Sequence, residues 1–369
     1  MSSKYGINVE LYNGSLNGYD IDNKRPIAIV GDDSKLEAGL HVFSTVKDAL
    51  KAVGSGTLKN ALTDLDATSL HTQVILSSFK PSIDANADTK NSENLQSCLT
   101  AIDALKKAEA EVMLKPKFIL APEYNNAGVY EKLKQLGEYL RAVYAIEVDA
   151  ENETQAKQKI NELQYKTAIC SYQKVLRIDN VVRPASVFLI ALYAKVMAET
   201  EYGFSQTYSN RVIDGVIGIV DKVEFIQGVD CEADRLRDAG ISVIISDDGI
   251  RAWGGETRDE DFKSLHTYVI FYTAIETIFK AQKRAIDKRM RDVLKNVVDS
   301  LEAFYRRLVA NNVAVGFKVS IPLELNDNQT IAAGKIYIKH EVQEMPLIKN
   351  ITNRIYRVDA YSQVLIEEL

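Results

Sequence analysis

Between Arg25 and Tyr172, short apolar runs alternate with stretches of helical periodicity, and no other feature of the chain restricts its fold as strongly. Pro26–Gly31, Gln73–Ser78, Phe118–Ala121, Ala145–Val148 and Ala168–Tyr172 predict strands. Thr45–Val53, Leu58–Leu65, Leu95–Val112, Tyr130–Val143 and Glu153–Tyr165 predict the helices among them. Strands apolar on both faces and separated by helix-length segments fit a mainly parallel sheet covered by helices. Residues 81 to 94 are polar apart from Ile83 and predict a surface loop.

Beyond this layer, Arg183-Pro184 opens a strongly apolar helix running to Met197, and Ser209–Ile219 reads as a bend into a strand. Ala233–Arg258 then parses as a short helix ended by Gly240, a strand Ile241–Ser246, an Asp248-Gly249 turn and a second strand carrying Trp253, the single tryptophan. The run Ile241, Val243, Ile244, Ile245 suits a strand covered on both faces, so the hairpin is expected to be central and Trp253 to close a core.

His266–Lys283 and Ile286–Asn311 predict two further helices; in the second, Met290, Val293, Val297, Leu301, Phe304 and Leu308 form one stripe. Val313–Leu325 alternates strictly, placing Val315, Phe317 and Val319 on one face, with Pro322 hinting at a strand end or edge. Ile336, Ile338, His340 and Val342 alternate in a partner strand.

Both ends of the chain carry β-prone segments without a local mate. Ile7, Val9 and Leu11 share one face of a strand followed by a flexible Asn-Gly-Ser run, and the segment after Pro346 holds Ile355, Val358, Val364 and Ile366 without a glycine. A single strand cannot bury a face alone, and an exposed one invites edge pairing. Each needs a sheet from elsewhere.

A length of 369 residues implies two domains or more, since one core rarely outgrows about 250 to 300 residues. A net charge of -6 argues against a nucleic-acid binder as a whole. Cys98, Cys170 and Cys231 form neither a disulfide framework nor a metal pair and suit a reducing compartment. No signal-peptide pattern and no run of 18 apolar residues occurs, so cytosolic synthesis without membrane insertion is expected.

Phosphate-loop, dinucleotide, zinc-protease and nucleophile-elbow motifs are all missing from the sequence, so no cofactor or metal is expected. His41, His71, His266 and His340 stand singly and read as structural. Gly54-Ser55-Gly56-Thr57 reads as a loop with Thr57 as helix N-cap, or as an anion cradle at a helix N-terminus. An enzymatic reading would use Glu123 and Asp149, each following a strand end where open α/β sheets bind ligands. Between Lys280 and Lys295 the chain is basic, with Lys288, Arg289, Arg291 and Lys295 forming either a solvated helical face or a docking face for an acidic partner.

With these residues laid out, the chain resembles the tail sheath proteins of contractile-tailed bacteriophages, a family sharing its architecture with the sheaths of R-type bacteriocins and contractile injection systems. Val53–Leu62, Lys115–Glu123, Ser209–Ile219, Ala233–Thr257 and Ile331–Pro346 carry the likeness, in the family's order. One departure is the tail, which continues past Ile351-Thr352-Asn353-Arg354 to Leu369, where sheaths usually finish sooner.

The resemblance implies an α/β, overall α+β, chain: an outer α/β domain (25–230) inserted into a tube-facing α+β domain (231–350), with strand arms at 1–24 and 351–369. It implies a non-enzymatic subunit that polymerises helically around an inner tail tube and contracts to drive the tube through a cell envelope. Ile7, Val9, Leu11, Ile355, Val358, Val364 and Ile366 would be donated to a neighbour's sheet, accepted by Val315, Phe317, Val319, Ile336, Ile338 and Val342. Lys288, Arg289, Arg291 and Lys295 would face the tube, and baseplate and tail terminator proteins would meet the ends of the polymer. The location implied is the virion tail; the sheath of a non-phage device is the alternative.

Overall fold

A computed structural model describes residues 19–22, 24–358 and 361. Ile7, Val9, Leu11, Val364 and Ile366 lie outside the described residues.

The expected alternation builds a six-stranded sheet from β1 (Ile27–Asp32), β2 (Gly39–Phe43), β3 (Val74–Phe79), β4 (Phe118–Leu120), β5 (Val143–Glu147) and β6 (Ala168–Ser171), in the order β2-β3-β1-β4-β5-β6. Every pairing is parallel except β2 with β3. Side chains alternate between two apolar cores. Ile27, Ile29, Val74, Leu76, Phe118 and Leu120 point into one, and Ala28, Val30, Ile75 and Ile119 into the other.

Helices α1 (Val46–Ala52) and α2 (Thr57–Ala67) cover the first face; α3 (Ala87–Ala104), α4 (Ala108–Val112), α5 (Ala127–Leu140) and α6 (Glu153–Ile160) cover the second. α5 approaches its strand so closely that a Cβ at Gly137 would lie 2.3 Å from the Tyr144 ring. The loop expected at 81–94 is shorter than read, because Asn86 accepts hydrogen bonds from the backbone of Asp88 and Thr89 and starts α3 at Ala87.

A three-stranded antiparallel sheet follows, β8-β7-β9, from β7 (Lys174–Arg177), β8 (Val182–Pro184) and β9 (Val216–Ile219). Helix α7 (Ala185–Ala198) is buried except at Lys195 and Ala198. Next come α8 (Glu232–Asp238) and the hairpin β10 (Val243–Ser246) with β11 (Ile250–Trp253), turned through Asp248 and Gly249 at φ 45° and 119°.

This hairpin is central, as its composition implied. Ile244 enters the first core while Val243 and Ile245 enter the second, and the Ser242 amide donates to Cys170 O at 2.7 Å beside β6. Cys231, Ala233 and Leu236 share that second core with β5 and β6, so packing runs without a break across residue 230. Trp253 seals this core's edge rather than its interior. It is half-buried, donates its indole N–H to Asp234 at 2.8 Å and lies under the Arg237 guanidinium.

The chain ends in α9 (Leu265–Gln282), α10 (Met290–Ala310), β12 (Ala314–Ser320), the short α11 (Asn328–Ala332) and β13 (Lys339–Glu344). α10 starts four residues after the expected Ile286, and β12 stops at Ser320, because Ile321-Pro322 leads into a 3-10 turn at Leu323–Leu325. Ile336 and Ile338, expected in the partner strand, precede it.

Candidate functional site: an open-edged β-ribbon with an adjoining groove

Strands β12 and β13 pair antiparallel, Phe317 opposite Val342 and Val319 opposite His340, with a bulge between Ala314 and Gly316. Two strands alone are marginal in water. Here helix α10 supplies the third layer: Tyr305 stacks on Phe317 with ring centroids 5.4 Å apart, and its hydroxyl meets His340 Nδ1 at 2.9 Å. Both outer edges of the ribbon are unpaired among the described residues. Alternate side chains of β13 are exposed, and Val315 on β12 is 48% exposed.

Beside the ribbon runs a groove of about 580 Å³ between α10 and the segment leading to β13. Ile286, Met290, Val293, Val297, Ile336 and Ile338 give it an apolar lining, with Lys288 also on its wall. The expected acceptor residues fall into three kinds: Phe317, Val319 and Val342 pair in the ladder, Val315 sits unpaired at the bulge, and Ile336 and Ile338 line the groove.

After Met345, whose amide donates to Val313 O at 2.9 Å, residues 346–358 form no regular structure. Ile348, Ile351, Ile355 and Val358 stand exposed along them, Ile355 at 95%. Burying a row of this kind is worth roughly 1.5–3 kcal/mol for each large side chain before ordering costs.

The basic run occupies the start of α10 and the turn before it. Arg289 bridges Asp292 at 2.7 Å and Lys295 approaches Asp299 at 3.5 Å, both fully on the surface, so local carboxylates already moderate this face. Lys288 and Arg291 are exposed as well.

At the opposite end of the chain's chemistry, Glu123 and Asp149 do sit past strand ends, yet each is held by a structural partner. Glu123 accepts from Arg183 at 2.7 Å and Asn60 at 3.0 Å, and Asp149 pairs with Lys159 at 3.0 Å. Arg183 also donates to Asp64, a fully buried carboxylate that receives Arg177 at 2.6 Å. This network escapes sequence reading; its only trace is an aspartate inside the apolar run of α2 and an arginine immediately before the Pro184 that opens α7. Nearby Glu147 accepts from the Glu123 amide at 2.9 Å and from the Ser186 hydroxyl, and burial pushes its carboxyl up to about 7.

The glycine-rich loop is occupied by the chain itself. Asp33 accepts from the Gly54 amide at 2.8 Å, and Asp32 from the Thr57 hydroxyl at 2.7 Å and the Tyr124 hydroxyl at 3.1 Å. Gly56 rather than Thr57 takes the N-cap position. Buried His266 meets Ser205 O at 2.8 Å, as expected of a structural histidine. Among the described residues no group of three His, Cys, Asp or Glu side chains could hold a metal ion, and no helix is long and apolar enough to cross a membrane.

No family model matches the chain. Among curated proteins it is 28% identical over 285 residues to a prophage protein of Pseudomonas aeruginosa strain UCBPP-PA14 described as a major tail sheath protein, covering 73% of this chain and 71% of that one. It is 27% identical over 277 residues to the tail sheath protein of Escherichia phage P2, covering 72% and 69%. Among solved structures, the contracted helical sheath of the anti-feeding prophage superimposes with a TM-score of 0.72 at 16% identity, over 97% of this chain and 100% of that one. The contracted sheath of the extracellular injection system PVC gives 0.69 at 15%, over 98% and 99%. The chain's curated relatives are thus tail sheath proteins of phages and prophages, and its fold is that of the sheaths of contractile injection systems.

Proposed function

We propose that copies of this chain polymerise into a helical sheath around an inner tail tube and contract, linked by strands that each copy lends to its neighbours. The observation that carries this reading is the ribbon of β12 and β13, open at both edges beside an apolar groove, on a chain whose following segment exposes Ile348, Ile351 and Ile355. Donated Ile355 and Val358, with Ile7, Val9, Leu11, Val364 and Ile366, would complete the sheet, main-chain hydrogen bonds giving affinity and alternate side chains giving register. Phe317, Val319 and Val342 on the ladder and Val315 at its bulge would accept them, with Ile336 and Ile338 in the groove.

In this reading the α/β layer faces outward and the unit of α9, α10 and the ribbon faces the tube, with Lys288, Arg289, Arg291 and Lys295 oriented toward it. If three or four apolar side chains per arm are buried, the gross gain is roughly 5–12 kcal/mol, set against about 1–2 kcal/mol for every residue that becomes ordered. The net per arm is modest, and a lattice of many copies sums it. Globular surfaces can then exchange partners during contraction while the arms act as hinges.

The assembly would be a virion tail, with baseplate and terminator proteins at its ends. The folds of the anti-feeding prophage and PVC sheaths favour a second reading of the same kind, the sheath of a non-phage injection device. Electron microscopy of the purified full chain tests the proposal: long hollow helical tubes are expected, and discrete particles at every concentration and salt would contradict it.

A further inference from the structure

At the carboxyl ends of β5 and β6, where α7 begins, lies a cavity of about 70 Å³. Strand register sets its inner wall. Glu147 on β5 lies opposite Ser171 on β6, so the two side chains stand next to each other on one face of the parallel sheet. Asn125, Asp149 and Lys174, all exposed, complete the wall toward solvent, Asp149 being paired with Lys159 at 3.0 Å.

Ser171 is 3% exposed, and its hydroxyl meets no hydrogen-bond partner among the described residues. A buried hydroxyl in such a wall is costly unless a bound species completes it. Beside it, Glu147 accepts from the Glu123 amide at 2.9 Å and from the Ser186 hydroxyl, two neutral donors, whereas a carboxylate offers about four lone-pair sites. The neighbouring polar groups are already used. The Gln173 carboxamide donates to Asp221 O at 2.8 Å and Ile244 O at 3.0 Å and accepts from the Ile244 amide at 2.5 Å, and the Ala185 amide at the start of α7 donates to Gln173 O at 3.0 Å. What the inner wall still offers is oxygen: the Glu147 carboxylate and the Ser171 hydroxyl.

We infer that this cavity binds a partly hydrated divalent cation of the Mg²⁺ kind, held by the Glu147 carboxylate and the Ser171 hydroxyl, with Asp149 reached through water. The chemistry selects the ion. Hard cations take oxygen ligands, and Mg²⁺ keeps several waters while using one or two carboxylates, whereas Ca²⁺ takes about six to eight oxygens. Two carboxylates on the wall are too few to strip an ion of its water, and about 70 Å³ has room for an ion with several waters at roughly 10–15 Å³ each. The ion supplies Glu147 with the charge that its two neutral donors do not. It joins the ends of β5 and β6 beside the start of α7, a property of the single chain that is independent of whether it polymerises.

Thermal unfolding of the full chain at pH 8 tests the site, with about 10 mM MgCl₂ or CaCl₂ compared with NaCl at equal ionic strength. A melting temperature higher by about 2 °C in Mg²⁺ than in Na⁺ is expected, with a smaller rise in Ca²⁺. Glu147→Gln should abolish the difference. Ser171→Ala, which removes a hydroxyl without a partner and should therefore fold normally, should reduce it by about half or more. No rise in the wild type, a rise in Ca²⁺ as large as that in Mg²⁺, or a full response in either folded variant overturns the site.

Discussion

The Tyr305 hydroxyl meets Nδ1 of His340 at 2.9 Å, tying the longest helix to the β-ribbon through the same ring that stacks on Phe317. A two-stranded ribbon with open edges persists only if such a support exists. Tyr305→Phe should keep the stack and lose about 1 kcal/mol, and Tyr305→Ala should lose about 3–5 kcal/mol. Urea unfolding of both variants measures the difference.

Asp64 is fully buried between two arginines, Arg177 at 2.6 Å and Arg183 at 2.7 Å, joining α2 to the three-stranded sheet. Asp64→Ala leaves both guanidinium groups in a dry site without their shared acceptor and should cost about 3–5 kcal/mol. Replacing either exposed partner of the Arg289–Asp292 bridge should cost under about 0.5 kcal/mol by the same measurement.

Glu147 gives a pH dependence of defined sign. Burial raises its carboxyl from 4.5 to about 7, so the folded state favours the neutral acid. Its stabilising contribution is complete below pH 4.5 and is lost as pH rises through 7. Relative to Glu147→Gln, wild-type stability should fall by up to about 3 kcal/mol between pH 5 and pH 8. Chemical unfolding of the pair across that range checks it; parallel curves would refute it.

Charge reversal tests the tube-facing orientation. Arg289→Glu with Arg291→Glu should leave the fold within about 0.5 kcal/mol of wild type, since both side chains are exposed. Assembly around the tube protein should fail or slow sharply, as read by co-sedimentation, if this face docks an acidic surface. Normal co-assembly would assign these residues to solvent.

Much of the fold is legible because β1, β3 and β4 are covered on both faces and therefore read as unbroken apolar runs. β2 leaves no such run, being a half-exposed edge strand. The first turns of α3 are solvated and polar, so only Asn86 as cap marks their start. Alternation carried the expected β12 through Pro322, whose missing N–H cannot extend a ladder. It likewise placed Ile336 and Ile338 in β13. There the Asn326 carboxamide, accepting from the Tyr337 amide at 2.8 Å and donating to its carbonyl at 2.9 Å, holds the backbone off the ladder until Lys339. At the candidate site, period-two alternation makes Phe317, Val319 and Val342 readable as ladder residues, but not the bulge that leaves Val315 unpaired. The groove is not readable, because it forms only when α10 and the segment before β13 meet. The Asp64 network joins residues more than a hundred positions apart, a pairing that local pattern cannot encode.

Strand exchange between copies is the central claim, and deletion of residues 355–369 probes it most directly. None of the described side chains removed contributes to either core. The account predicts a folded subunit, with the unfolding midpoint of wild type, that forms no long tubes under the electron microscope in conditions where the full chain does. Tubes of normal length from the truncated chain would contradict it.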